Sequence, residues 1–227
     1  MCGRFTLTRS AAEVAEHFGV SAAPALAARF NVAPTQPVLA VRAREGGGRE
    51  AVQLQWGLVP FWAKHPQDAA KHINARVETL AERPAFREAA ERRRCLIPAD
   101  GFYEWRGARG ERQPHHIRLA QGELFAMAGL WERWRGAEGE PLESAAIVTT
   151  AATPNLRSLH DRMPILIDPS GYDAWLDPAR RDVREVLAAL PTTRGAELRP
   201  RRVSVRVNDV RNDDSRCLDD AEQGALF

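Results

Sequence analysis

Short runs of β-forming residues, some alternating apolar with polar, recur through most of the chain and predict strands rather than helices. Strand character marks RFTLT (4–8), PVLAVRA (37–43), AVQLQWG (51–57), RCLIPA (94–99), GFYEWR (101–106) and HHIRLA (115–120). It continues in LFAMAGLWERW (124–134), SAAIVTTAA (144–152), PILI (164–167) and RVSVRV (202–207). Glycines in REGGGRE (44–50) and RGARGE (106–111) read as hairpin turns. Helical spacing is rarer. SAAEVAEHF (10–18) opens on a capping Ser10, VETLAERPAFREAAER (77–92) is amphipathic with a break near Pro84, and PSGYDAWL (169–176) and ARRDVREVLAAL (179–190) predict two short late helices. No regular βαβ alternation is visible. The expected fold class is therefore α+β, one domain over 1–227 with a mostly antiparallel, barrel-like sheet core, flanking helices and a tail in the last ten or so residues.

Composition adds few constraints. At 44 % hydrophobic and 27 % charged, the 227 residues are ordinary globular material. No apolar run reaches membrane-spanning length and the first twenty residues lack a leader pattern, so a cytoplasmic protein without membrane partners is expected. Cys2, Cys95 and Cys217 are odd in number and far apart, which suits neither a disulfide framework nor a metal site; no metal and no cofactor is expected. A net charge of +2 says little about nucleic acid, but of 32 basic side chains only Lys64 and Lys71 are lysines. Amine chemistry with an aldehyde must use one of those two or the N-terminus.

That restriction directs attention to the opening, MCGRF. Aminopeptidases remove an initiator methionine when the next side chain is small, which leaves Cys2 with a free α-amine beside its thiol. Three uses are open to such a residue: none, the nucleophile of an N-terminal-nucleophile hydrolase, or capture of an aldehyde. For the third, an α-amine of pKa about 7.7–8.0 and a thiol near 8.5 are both partly deprotonated at neutrality. The amine forms an imine and the thiol closes it to a thiazolidine. Ring closure removes the C=N bond through which hydrolysis or elimination proceeds.

Other segments carry groups suited to proton transfer. HINARVET (72–79) places Asn74 and Arg76 before a predicted helix, where Asn74 is equally suited to capping and Glu78 to the first turn. In PADGFYEWR (98–106), Glu104 lies between aromatics; it either faces solvent or is desolvated with a raised pKa, and the second case suits a general acid. LHDRMP (159–164) sets His160, Asp161 and Arg162 at a polar junction, and His160 alone is no evidence of catalysis. WGLVPFWAK (56–64) carries Phe61, Trp62 and Lys64 on a proline loop that offers bases a stacking surface beside a positive charge.

Together, MCGRF, RFNVAPTQ (29–36), WGLVPFW, INARVET, IPADGFYEW, AGLWE (128–132), IVTTAA (147–152) and HDRMP resemble the SOS-response-associated peptidase (SRAP) family of abasic-site shielding proteins, in the same order. The resemblance runs from residue 2 to VSVRVNDVRND (203–213). It implies the SRAP fold and a partner in single-stranded DNA containing abasic sites, whose open-chain sugar supplies the aldehyde for a covalent link to Cys2 during the DNA damage response. It further implies that Asn74 holds the N-terminus and sugar, that Glu104 opens the sugar ring and shuttles protons, and that His160 acts near the imine. By the same resemblance Arg4, Arg76 and Arg162 bind phosphates. Trp62, taken from the loop above, joins them as a DNA contact. The expected protein is a monomer, nucleoid-associated when on DNA, open to replication or repair partners, with strand-cleaving lyase activity and Met1 self-removal as accessory activities.

Two rivals differ in class. A class II amidotransferase or related cysteine hydrolase also exposes Cys2, but no Asn-Gly dipeptide for its oxyanion hole occurs. A non-covalent single-strand-binding module remains open, and independence of DNA association from Cys2 distinguishes it.

Overall fold

Five strands close on themselves to make the central barrel of this chain, described here from a computed structural model over residues 2–25, 27–108, 111–136, 139, 141–191 and 197–221. β3 (Pro37–Ala43) and β4 (Arg49–Trp56) form a hairpin through the predicted glycine turn, and β3 also pairs with β6 (Arg94–Ala99). β6 pairs with β9 (Phe125–Trp134), β9 turns into β10 (Leu142–Ala151), and β10 returns to β4 in parallel, completing the ring. A second, five-stranded sheet contains β1 (Phe5–Leu7), β2 (Arg29–Val32), β7 (Gly101–Arg106), β8 (Gln113–Leu119) and β13 (Leu198–Arg202), in the order β13-β8-β7-β1-β2.

Strand alternation explains how the layers pack. In β3, Val38 and Ala40 join an apolar cluster with Phe5, Phe102 and Ile117 of the second sheet, whereas Leu39 and Val41 join a cluster with helical residues. β6, β9 and β10 divide their residues in the same way. Both faces of these strands are covered, so their sequences read as nearly continuous apolar runs. The helix-side cluster takes Val14 and Phe18 from α1 (Ala11–Phe18), Ala89 and Ala90 from α2 (Arg87–Arg92), Tyr172 and Trp175 from α3 (Tyr172–Leu176), and Val183 and Val186 from α4 (Val183–Ala189). None of these helices is long and apolar enough to cross a membrane.

The α+β, barrel-centred expectation holds, with four local corrections. The 77–92 segment forms a short 3-10 turn at Val77–Thr79 and the separate α2, because Pro84 has no N–H and excludes a continuous helix. Asn74 does not cap a helix: Asn74–Arg76 is a strand, β5, pairing in parallel with β10. The 202–207 strand is instead the end of β13 followed by a 3-10 turn at Val205–Asn208, whose Arg206 N–H donates to the Ser204 side chain at 3.2 Å. That local bond displaces the ladder. PILI is divided between β11 (Arg162–Pro164) and β12 (Leu166–Ile167). Of the tail expected at the C-terminus, 222–227 lies outside the described residues, as do 109 and 110 of the second glycine turn.

A strap from the C-terminal region crosses the second sheet. Asn31 is fully buried and donates through Nδ2 to the carbonyls of Val207, Asp209 and Asn212 at 3.2, 3.0 and 2.7 Å. Its Oδ1 accepts from Arg4 Nη1 at 2.7 Å, and Arg4 Nη1 also donates to Val207 O at 3.0 Å. Truncating Asn31 to alanine leaves these groups without their central partner. Urea unfolding of that variant is expected to show a loss of about 1–3 kcal/mol, the cost of unmatched buried polar groups.

Candidate active site at the N-terminus

The N-terminal segment is held against β7. Phe5 pairs with Phe102, Thr6 with Gly101, and the Tyr103 N–H donates to Arg4 O at 2.9 Å. Continuing this antiparallel register sets Gly3 beside Glu104 and Cys2 beside Trp105. Alternation sorts the side chains of β7, while Cys2, ahead of β1, breaks the alternation and turns inward. Cys2 and Phe102 belong to the cluster between the sheets, while Tyr103 and Trp105 pack with Val203 and Val207 on the opposite side. Glu104 shares the inward phase of Phe102 and is only 4 % exposed.

This placement decides between the two fates foreseen for Glu104. Burial pushes its carboxyl up to about 7, and the negative charge of Asp161 adds to the rise. Such a group exchanges a proton readily near neutrality. Cys2 is fully buried, and burial, reinforced by the charge of Glu104, raises its thiol well above the ordinary range. Its Sγ contacts Arg4 O at 3.9 Å. The thiol is held as SH in this arrangement, and its use as a nucleophile requires a base close by.

Asn74 enters from the barrel. Gly57, at φ +125°, turns the chain out of β4, and the excursion rejoins the same edge of β10 as β5. A side chain at Gly57 has no room, because its Cβ meets Ala69 O at 2.6 Å. With Asn74 opposite Ile147, the Asn74 Nδ2 donates to Cys2 O at 2.8 Å. Asn74 Oδ1 is buried and has no hydrogen-bond partner among the described residues. A buried acceptor left in that state is suited to an incoming N–H or O–H donor.

His160 arrives on the loop between β10 and β11. Leu156 and Leu159 of that loop pack into the Cys2 cluster. Its Nδ1 accepts from the Arg162 N–H at 2.9 Å and lies 2.7 Å from Asp161 Oδ1. The Arg162 N–H favours a lone pair at Nδ1 and so a proton on Nε2, whereas the Asp161 carboxylate favours a proton on Nδ1. Burial lowers the His160 pKa, while Asp161 opposes that shift.

The expected phosphate contacts are dispersed. Arg4 stands on the other side of β7 from Glu104, in a cleft of about 410 Å³ lined by Gly3, Arg4, Trp105, Arg112 and Asn208. Arg76 is exposed at the end of β5. Arg162 is only 11 % exposed at its side chain and is paired with Glu78. Trp62 is 54 % exposed beside Phe61, on a loop fastened toward the β9–β10 end by a hydrogen bond from Trp134 Nε1 to Ala63 O of 2.6 Å. The structure thus brings Cys2, Asn74 and Glu104 together, with His160 on the adjoining loop, and puts the arginines and Trp62 on separate rims.

Sequence reasoning did not single out Asn31, Asn208 or Arg112. Asn208 accepts from Trp105 Nε1 at 2.7 Å, so a residue about a hundred positions away fixes that indole. The polar density of NDVRNDD was the available signal, and it gave no hint of the distance it would span. No group of three or more metal-type ligands occurs among the described residues.

Fold and site define a class in which a cysteine at position 2, an asparagine and a buried acid meet beside a β-barrel, with a histidine on the adjoining loop. The chain belongs to the SOS response associated peptidase (SRAP) family, whose profile matches residues 1–210. It is 35 % identical over 223 residues to the abasic site processing protein YoqW of Bacillus subtilis (strain 168), covering 96 % of this chain and 99 % of that protein. It is 31 % identical over 200 residues to the abasic site processing protein HMCES of Gallus gallus, covering 78 % of this chain and 59 % of that one. A solved Bacteroides thetaiotaomicron structure has the same fold, with a TM-score of 0.85 over 97 % of this chain and 100 % of its own, at 24 % identity.

Proposed function

We propose that this protein processes abasic sites in single-stranded DNA by joining the lesion covalently to Cys2 once Met1 has been removed. The carrying observation is the convergence on one residue: Asn74 grips the Cys2 carbonyl at 2.8 Å, and Glu104, with a pKa of about 7, is buried beside it. The names of the relatives favour the same substrate.

The chemistry follows from those groups. The Cys2 α-amine, a donor suited to the unmatched Asn74 Oδ1, attacks the aldehyde carbon of the opened sugar. Glu104, in its acid form, protonates the departing oxygen, which leaves as water and gives an imine. The thiol then adds across the C=N bond: sulfur bonds to carbon, its proton passes to a nearby base, and nitrogen recovers one. Glu104 is the shuttle for both transfers, with His160 Nε2 as the second exchanging group. The net reaction is aldehyde plus aminothiol giving thiazolidine and water. Lyase cleavage draws on the same imine and is therefore the minor channel when the thiol is present.

Proximity supplies much of the rate, since amine, thiol and acid are held on one framework before the lesion arrives. Arg4 and Arg76 are assigned to the phosphates and Trp62 to a base, while Arg162, expected from the sequence as a third phosphate contact, is engaged by Glu78. The protein acts as a monomer, and no step draws on a metal or a cofactor.

The test mixes purified protein with an oligonucleotide bearing one abasic site, alongside an intact control. A denaturation-resistant product with the first and none with the second is expected; its absence from protein whose intact mass shows Met1 removed would sink the proposal. The same mass measurement, made after incubation of unprocessed chain, tests Met1 self-removal. Binding to an intact single strand is expected to weaken steeply with salt as counterions are released. Arg76→Gln should lower affinity across sequences and reduce the slope of log K against log salt by about 1.

A further inference from the structure

Two short arms of the candidate site meet at the end of β10. β5 runs along one edge, with Asn74 opposite Ile147 and Arg76 opposite Thr149. β11 runs along the other, with Pro164 opposite Thr149 and Arg162 opposite Ala151. Each arm has three residues, too few for its ladder alone to fix its position firmly. One side carries the amide that grips Cys2, and the other follows directly from His160.

A side-chain bridge spans the strand between them. Arg162 Nη1 donates to Glu78 Oε1 at 2.6 Å, and Nη2 donates to Glu78 Oε2 at 2.9 Å. Nη2 also donates to the Thr149 carbonyl at 2.6 Å, so the guanidinium is fastened to β10 itself. Arg162 is largely covered while Glu78 is half exposed. The backbone N–H of the same Arg162 donates to His160 Nδ1 at 2.9 Å. The connections run without a gap from Asn74, through the turn at Val77–Thr79 to Glu78, then through Arg162 to His160.

We propose that Glu78 is a positioning residue: acting through Arg162, it sets the separation of Asn74 and His160 across β10, and thereby the alignment of the two sides of the site. A bidentate carboxylate-guanidinium pair fixes orientation as well as distance, which neither a surface point charge nor a single hydrogen bond does. Hydrogen bonds from Arg162 hold the Glu78 carboxyl below its ordinary range, keeping the bridge ionised wherever the chemistry operates. The kinetic readout rests on the aldehyde chemistry proposed above. A second readout does not.

The experiment compares the parent with Glu78→Gln, which keeps the shape and loses the charge, and with Glu78→Asp, which keeps the charge and shortens the reach. Three quantities are measured: the rate of product formation on an abasic single strand, affinity for the intact strand, and the titration of the His160 imidazole by NMR without DNA. Glu78→Gln is expected to react at least tenfold more slowly while binding the intact strand within twofold of the parent. His160 titrates among Asp161, Arg162 and the N-terminal amine. Losing the negative charge of Glu78 leaves Arg162 unopposed, so the His160 titration should move to lower pH in Glu78→Gln and return toward the parent in Glu78→Asp. An unmoved titration overturns the proposal, as does a parental rate. Tighter binding of the intact strand also overturns it, since Glu78 would then be masking Arg162 from phosphate. If the parent forms no product, the functional reading fails, and the NMR titration still decides the role of Glu78.

Discussion

Cys2→Ala is expected to abolish the denaturation-resistant product and to increase strand scission at the abasic site. Alanine is small enough for Met1 to be removed, so the variant keeps an α-amine in the same place, gripped by Asn74 through the residue 2 carbonyl. The imine therefore still forms. Without the thiol it has no ring to close and partitions to hydrolysis or elimination. Denaturing gels of the protein-DNA product, with the same samples scored for shortened DNA, check both halves. A full yield of stable product from Cys2→Ala would move the chemistry off Cys2, with Lys64 and Lys71 as the remaining side-chain amines. Unchanged association with unchanged DNA and no product from either protein would favour the non-covalent binding module.

The second large effect is expected at Glu104. As the acid it must be protonated, which at a pKa of about 7 holds increasingly below neutrality. The Cys2 amine must be free, which holds increasingly above about 7.7–8.0. Product formation should therefore follow a bell between the two, with its maximum a little above pH 7. Glu104→Gln removes the falling limb on the alkaline side, leaves the rise set by the amine, and lowers the maximum by about 10²–10⁴, the usual contribution of a positioned acid. Affinity for the intact strand should stay near the parent's.

Stability gives an independent measure of the same burial. The Glu104 carboxyl rises from 4.5 to about 7 on folding, so below pH 4.5 it is neutral in both states and costs nothing. Between these values the unfolded chain ionises first, and the parent loses stability as pH rises, by about 3 kcal/mol in total. Glu104→Gln should unfold with no such loss over that window, becoming the more stable protein above pH 7. Parallel urea curves across the range would show that Glu104 is not desolvated as described.

Most strands were legible because both faces of the barrel strands are covered and their runs are strongly apolar. PVLAVRA and RCLIPA match β3 and β6 residue for residue. α1 was legible from its cap: Ser10 and Glu13 form a capping box, with the Glu13 carboxylate accepting from the Ser10 N–H at 2.8 Å. β5 was not, since three residues carry no period and their strand geometry comes from the free edge of β10. RVSVRV misled because its alternation is real, yet Ser204 bonds locally and the ladder position beside β8 goes to Leu198–Arg202.

The candidate site divides in the same manner. Sequence alone determined the chemical identities: a cysteine directly behind the first methionine, only two lysines in the chain, and an acid, an amide and an imidazole in recognisable segments. Those are properties of side-chain composition and local order, and they survive without coordinates. Only the tertiary structure decided that Glu104 is buried rather than solvent-facing, that Asn74 reaches Cys2 from a strand, and that Arg162 is bridged to Glu78 across β10. Each of those facts depends on the pairing partner a strand finds or on the face it turns inward. Pairing between distant segments is set by the packing of the whole chain, and no local pattern encodes it.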